Sequence, residues 1–543
     1  MSNNVLSHRY LTRIVLECES TLSIGSGERG WENENLIVRD VNGLPYIPGT
    51  SLAGVLRHAL EKRWGKAEIE KVFGFQDDSS GQGSRILFSQ GLLLGTDGKS
   101  VVEGIEQGLQ DDPYYTWFIQ LPERDHVRIN EKGVATKHAK FLEQLVFRGT
   151  RFVFEMELRS FQDEKDIFDS LVMELSSPTF RLGSGTRNGL GALKIVKLEK
   201  VSLDLTKEAQ LEAYLQRSSS LSQDFFTGIE ASTLKKLRPE GWEVYSLEIR
   251  AKDFFIFGSG NQEYLESEES WLDQLPKKES CIHWDEEGKN PTLEPHYLIP
   301  GTSIKGALAH RVAYHYHLLC GEFIENEVGD LGIEEKIQLD IEQVLAEIDP
   351  GIQIEDLNFA PNSNQWKYWI DKVENLSLSN SKTWLDYLDG VENLGDPNHP
   401  KIKDPDEGKN AAVKTLFGYA KIKRKNGVNL EETGARGKII IPDVYLPRKD
   451  VSEKIFTHVA IDRFTGGALD GALFEEQAIS CPKTQKLDIW VEVAALQDPN
   501  IRKAFEASLD DLVSGRLALG GNTAKGHGVF EGSYKKEIDS TGN

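Results

Sequence analysis

Apolar and polar residues alternate through Arg13 to Glu19 (RIVLECE) and again through Val244 to Ala251 (VYSLEIRA). This is the period of two expected of a half-buried strand, because successive side chains leave opposite faces. A small-residue turn follows each strand, Gly25-Ser26-Gly27 in one case and Gly258-Ser259-Gly260 in the other, and the period then changes. In IPGTSLAGVLRHALEKRWG, Leu52, Val55, Leu56, Ala59 and Leu60 recur at helical spacing. They predict an amphipathic helix after a Pro48-Gly49 turn, with Thr50 or Ser51 as its N-cap. Nearly the same phrase returns as YLIPGTSIKGALAHRVA, Tyr297 to Ala313.

The correspondence continues in one order. Phe73-Gly74 leads to SRILFSQGLLL, and Phe417-Gly418 leads to GKIIIPDVYL. Hairpin-like stretches follow, DHVRINEKGVATKHAKFLEQLVF and THVAIDRFTGGALDGALFEEQAI, and each half closes on a glycine loop, RLGSGTRNGLGALKI and LALGGNTAKGHGVFEG. An ordered repeat of this kind predicts two tandem domains. Irregularly mixed strands and helices, with alternating rather than continuously apolar strands, predict an α+β fold in which helices cover one face of antiparallel sheets. The expected division is residues 1–215, a polar linker over 216–240, and 241–543, with an insertion in the second domain at about 321–412.

Composition adds three constraints. Four cysteines lie far apart with no CxxC pair, so neither a disulfide framework nor a zinc site is indicated. No run reaches the 18 or so apolar residues of a membrane span and the N-terminus has no apolar signal core, so an intracellular, cytoplasmic protein without a membrane partner is expected. Net charge is −23, which opposes contact with phosphates. The charge is concentrated, however, since residues 321–410 hold 21 Asp and Glu against 7 Lys. Such a block repels nucleic acid, and it is expected to face solvent or to dock a basic neighbour, with nucleic-acid mimicry a weaker option.

Candidate chemistry follows from the repeated pieces. A turn of small residues entering a helix leaves free N–H groups at the positive end of the helix dipole, where a phosphate can sit. Gly49, Thr50, Ser51 and Arg57 in the first half, and Gly301, Thr302, Ser303 and Lys305 in the second, are the candidates; ordinary helix capping is the alternative. The glycine loops do not fit a dinucleotide fingerprint, because a strand rather than a helix follows them. They combine Gly183, Gly185, Gly189 and Gly191 with Arg187 and Asn188, and Gly520, Gly521, Gly526 and Gly528 with Asn522, Lys525 and His527. Glycine permits close backbone approach and the interleaved polar side chains suit a ribose-phosphate chain; a pair of tight β-turns is the alternative.

The strand, G-S-G turn, IPGTS helix, Phe-Gly strand and closing glycine loop together resemble the RAMP superfamily, most closely the backbone subunits of type III CRISPR effector complexes. Nearly the whole chain apart from the acidic block carries the resemblance, twice, as in a subtype III-D-like fusion. The resemblance implies ferredoxin-like (RRM-like) domains and hairpin thumbs, around His126 to Phe147 and His458 to Phe474, that wedge into a guide-target duplex. It implies as partners a guide CRISPR RNA, a single-stranded target RNA, further RAMP proteins and a large polymerase-like subunit. Cleaving relatives use an Asp, with a proline two residues later, in the loop after the G-S-G turn. Glu34 takes that place in the first half, and Glu279 is assigned to it in the second, with Leu36 and Cys281 instead of proline. Glu28, Glu32, Glu263, Glu266, Glu268, Glu269 and Asp273 stay open as neighbours, and His126, Arg128, His458, Asp462 and Arg463 as charge partners. The carboxylates would align a 2′-OH for in-line attack, directly or through Mg or Mn. Alternatives are a non-catalytic scaffold of the same complex, or a guide-processing nuclease using a histidine such as His8 or His58.

Overall fold

The computed structural model describes residues 5–27, 36–77, 80–129, 135–226, 237, 239–259, 272–321, 410–425 and 428–537. Most of the acidic block, Glu34, Glu28, Glu32 and Glu263 to Glu269 lie outside the described residues.

Two antiparallel sheets carry the halves. In the first, the strand order is Leu193–Asp204, His8–Cys18, Arg151–Ser160, Ile86–Phe88, with the two-residue strand Leu92–Leu93 also on Arg151–Ser160. The second repeats it as Phe530–Glu537, Trp242–Ala251, Gln485–Glu492, Ile439–Ile440. Numbered within each half, both read fourth, first, third, second, the order of a ferredoxin-like βαββαβ unit with every neighbour antiparallel. The chain is α+β, as its periodicities predicted.

Helices Gly49–Trp64 and Lys165–Glu174 bury Leu52, Leu56, Leu60, Phe168, Leu171 and Val172 in one core with Ile14, Leu16, Phe152 and Phe154 from the first sheet. Gly301–Cys320 and Pro499–Val513 do the same in the second, through Ile304, Leu308, Phe505 and Leu509 against Tyr245, Leu247 and Ile489. At roughly 1.5–3 kcal/mol for each fully buried large apolar side chain, these interfaces dominate the folding energy of each half. On the opposite face of the first sheet, Leu221 and Phe225 of the segment after residue 216 are buried against Val15, Leu11 and Leu203.

One local expectation is corrected. Both IPGTS helices begin at the glycine, with Pro48 and Pro300 as N-caps and no side-chain cap, so neither Thr50 nor Ser51 caps the first. The glycine is there for close approach. A Cβ at Gly49 would stand 2.8 Å from the Phe88 carbonyl oxygen, and at Gly301 2.4 Å from that of Ile441. The predicted hairpins form, Glu123–Ile129 with Ala135–Gln144 and Ser452–Ile461 with Ala468–Ser480. No described helix is long and apolar enough to cross a membrane.

Candidate functional site

Close contacts fix the residue-by-residue correspondence of the halves. Gly183 approaches the Ser23 carbonyl and Gly520 that of Ile256, while Gly191 and Gly528 approach those of Leu182 and Leu519. Leu22 bridges Val146 as Phe255 bridges Ile479. Gly183, Gly191, Gly520 and Gly528 therefore allow close backbone packing, whereas a Cβ at Gly526 would meet nothing within 4 Å.

The strand after the G-S-G turn changes the assignment of the second carboxylate. Ser26 N–H donates to Leu36 O at 2.8 Å, and Ser259 N–H donates to Leu275 O at 3.0 Å. Leu36 thus matches Leu275, and two residues earlier Glu34 matches Asp273, not Glu279. Counting along the sequence misplaced this position because the second loop is longer than the first. Asp273 is exposed, and its Oδ2 accepts from Glu475 N–H at 2.8 Å. Glu279 lies six residues further on, where the first half has Asp40.

Glu279 is instead half of a buried lock. Arg124, at the base of the first thumb and 1% exposed, donates to both Glu279 oxygens at 2.7 Å and to Asp443 Oδ2 at 2.8 Å. Burial alone would lower the pKa of this guanidinium, but Asp443 and Glu279 outweigh it and hold it charged. Asp443 Oδ1 accepts from Gly301 N–H at 2.7 Å, so the helix start expected to receive a phosphate already holds a carboxylate.

The first glycine loop enters the same joint. Arg187 pairs with Glu492 at 2.6 Å and lies over the Trp242 ring at 4.8 Å, Asn188 Oδ1 accepts from Lys305 Nζ at 2.9 Å, and Thr186 Oγ1 accepts from Arg436 at 2.7 Å. Burial and the neighbouring Arg187 lower the Lys305 pKa to about 8. Arg187, Asn188 and Lys305 thus contact the opposite half, while Gly301 is held by Asp443 of its own half and Thr302 and Ser303 stand half-buried beside it. Arg148 stacks on Tyr445 at 4.7 Å, and Trp284 Nε1–H donates to Gly149 O at 2.8 Å.

The matching loop of the second half is open. Gly521 and Lys525 are exposed and Asn522 and His527 half-exposed. They surround Glu476, whose side chain is fully buried. His458 Nε2 lies 3.1 Å from Glu476 Oε1, His527 Nδ1 3.8 Å from the same oxygen, and Lys525 Nζ 3.7 Å from Oε2, to which Asn522 also donates. A simpler version stands in the first half, where His126 Nε2 lies 3.3 Å from Glu143 and Ser184 donates to Glu143 at 2.8 Å. Burial pushes the Glu143 carboxyl up, but hydrogen bonds from His126, Ser23 and Ser184 prevail and hold it below its ordinary value. Each imidazole lies beside an aromatic ring of the partner strand, His126 on Phe141 at 4.7 Å and His458 on Phe474 at 6.1 Å. His126 and His458 were expected as charge partners, but Glu143 and Glu476 were not, although H…F-x-E stands in both hairpins.

The second thumb ends in a turn that accepts three hydrogen bonds at Asp462 Oδ1, from Phe464 N–H, Thr465 N–H and the Thr465 hydroxyl. The turn leaves Phe464 97% exposed. The tip of the first thumb, residues 130–134, and the side chain of Arg128 lie outside the described residues. Thr50 is exposed and Ser51 and Arg57 half-buried, with no acidic residue in their helix's first turn. Among the described residues no group of three His, Cys, Asp or Glu side chains is placed to hold a metal ion.

The model of the RAMP superfamily matches residues 15–194 and 292–531. No curated protein matches the sequence. Among solved structures, a chain of "Cryo-EM structure of the Type III-B Cmr-beta bound to cognate target RNA" is similar at 17% identity and a TM-score of 0.26, over 36% of the present chain and 61% of its own length.

Proposed function

The chain belongs to the RAMP superfamily, and from that premise we propose that it is a subunit of a type III CRISPR effector complex, holding guide RNA along two modules and cutting the complementary target RNA at each. The observation that carries this reading is the arrangement of the modules. They are stacked in one sense, glycine loop of the first on helix start of the second, so that two thumbs with the same His-Glu base project from successive positions. A polymer with a regular repeat of phosphates suits such a pair, and covalent linkage supplies the second module at high effective concentration once the first has docked. Sequence is then read by base pairing, and the protein reads backbone shape and the 2′-OH.

RNA contacts fall on the surfaces the joint leaves open. Gly521, Asn522, Lys525 and His527 offer donors and two basic side chains, and Thr50, Ser51 and Arg57 border a helix N-terminus whose first turn holds no acidic residue. Phe464 provides an aromatic face for an unstacked base. In the cutting step, Asp273, and Glu34 by its matching place in the chain, orient the attacking 2′-OH, with in-line geometry imposed by the thumb. Glu279 has no part in that step, because both its oxygens are committed to Arg124.

The test is target cleavage by the reconstituted complex, with products resolved by length. Asp273→Asn is expected to remove one product and Glu34→Gln another while target binding persists. An unchanged ladder in both would leave the chain a guide-holding scaffold.

A further inference from the structure

The path from the G-S-G turn to the IPGTS helix differs in length between the halves. Bridges pair Gly25 with Ile37 and Gly258 with Pro276, which fixes matching starting points. From Ile37 the first half reaches Ile47 through a tight turn, where Arg39 bridges Pro45 and Asp40 N–H donates to Leu44 O at 2.8 Å. From Pro276 the second half takes more than twice as many residues to reach Ile299, because a two-stranded arm stands in place of the turn. Its strands, Lys278–His283 and Thr292–Ile299, pair from Lys278 with Tyr297 out to His283 with Thr292.

The arm lies on the first half. Ile282 is 4% exposed within the first core, and its N–H donates to Arg148 O at 2.8 Å. Beyond it, Trp284 adds to its bond with Gly149 O the Arg151 guanidinium over its ring at 4.4 Å and the Tyr114 ring edge-on at 6.2 Å. The tip is held too, since Arg151 donates to Gly288 O at 3.1 Å and Asn290 N–H to Thr96 O at 2.9 Å. Within the tip, Asp285 accepts from Lys289 N–H at 2.7 Å and from the Asn290 amide at 2.8 Å, which fixes the turn.

The other edge of the arm leads to the second thumb. Thr292–Ile299 pairs with Val444–Pro447, and the Tyr297 hydroxyl donates to Glu453, one residue into the thumb strand that begins at Ser452. On the first half, Arg148 and Arg151 follow the return strand of the first thumb, which ends at Gln144, and Arg124 of its outgoing strand grips Glu279 of the arm. The arm thus joins the root of one thumb to the root of the other. Arg187 with Glu492 and Asn188 with Lys305 tie a glycine loop to a sheet and a helix instead.

We propose that the 278–299 arm is a spacer that sets the separation of the two thumbs and, through it, the separation of the two cuts in a target strand. Arg124 holds the arm at its root, and the strand carries it about 13 Å further to His283, at roughly 3.3 Å per residue. A body held at one point turns about it, and a second close-packed anchor at that distance stops the rotation. Trp284 and Arg151 are positioning residues, acting through the arm rather than on the target. The claim about cuts rests on the RNA reading above; the claim about thumb separation does not.

Double electron-electron resonance on the full chain without RNA tests the separation. Spin labels go on Val127→Cys and Val459→Cys, exposed positions one residue after the matched His126 and His458. Cys320→Ser removes the one cysteine that is not buried. A single narrow distance distribution is expected, and Trp284→Ala is expected to broaden it and shift its maximum. In the reconstituted complex, unlabelled Trp284→Ala is expected to keep both cuts and lose their fixed separation. A broad distribution in the parent chain overturns the proposal, as does an unchanged distribution in folded Trp284→Ala, or a broadened one with cuts at the wild-type separation. If thermal unfolding shows that Trp284→Ala disturbs the fold, Trp284→Phe, which removes the bond to Gly149 O and keeps a ring, must broaden the distribution to a smaller extent, and its failure to do so overturns the proposal equally. Absence of cutting by the wild type defeats the RNA reading instead, and the label distances then decide the spacer by themselves.

Discussion

The two glycine loops share a backbone and differ in what surrounds them. Loop 183–191 lies against the second half, where Arg187, Asn188 and Thr186 each have a partner across the joint, whereas loop 520–528 meets solvent. Gly183 and Gly191 recur as Gly520 and Gly528 because backbone carbonyls of the same half pass within contact distance at each. The residues between them diverge because one set packs on protein and the other does not. Repetition in a sequence therefore reports the fold, and departures from it report the environment.

The most severe way to break the symmetry is at the thumb bases. Arg124→Ala leaves Glu279 and Asp443 buried without a cation and is expected to cost about 3–5 kcal/mol of stability. Phe456→Ala, at the matching but half-exposed position, should cost a fraction of that. Urea unfolding of both variants measures the contrast, and equal losses would mean that the joint contributes nothing particular.

Next in size is the contrast between Asp273 and Glu279. Asp273→Asn is expected to slow formation of its product about 100-fold or more with the unfolding midpoint unchanged. Glu279→Gln should lower the midpoint and leave a cleavage ladder of normal spacing. The reverse outcome would restore Glu279 as the acting carboxylate.

A smaller effect is expected at the second thumb tip. Phe464→Ala should weaken binding of guide-paired target RNA by about 1–3 kcal/mol, the range for one base-aromatic stack, while Phe464→Trp retains it. Fluorescence anisotropy of labelled target with the assembled complex resolves this difference.

The smallest concerns Lys305, whose counterpart in the first half is Ala53. Its pKa is about 8 in the folded chain against 10.5 ordinarily. Between those values the unfolded chain binds more protons, so Lys305 makes stability rise with pH across that window and contributes no such slope well below it. Urea midpoints from pH 7.5 to 10.5 should rise more steeply for the wild type than for Lys305→Met. Parallel curves would show that the joint leaves this ammonium hydrated.

Much of the fold was legible because its signals are local. Alternation at Arg13 to Glu19 and Val244 to Ala251 marked the central strands, and Leu52, Leu56 and Leu60 marked the face that is buried. What was not legible depends on distance. Arg124 reads as an ordinary strand residue, and only folding brings it to partners 155 and 319 residues away. Asp273 was within reach of the sequence but hidden by a longer preceding loop. The N-cap at Thr50 failed for another reason, since the helix begins one residue earlier, where only glycine fits under the Phe88 carbonyl.

The lock at Arg124 also sets an order of events during synthesis. Asp443 follows Arg124 by 319 residues, which at about 5–20 residues per second is roughly 15–60 s of translation. Throughout that interval the first module can complete its own sheet and core, while a guanidinium that will end at 1% exposure remains hydrated. The nascent first module thus stays soluble on the face it will later bury. That face closes only when the second module has emerged from the ribosome and folded against it.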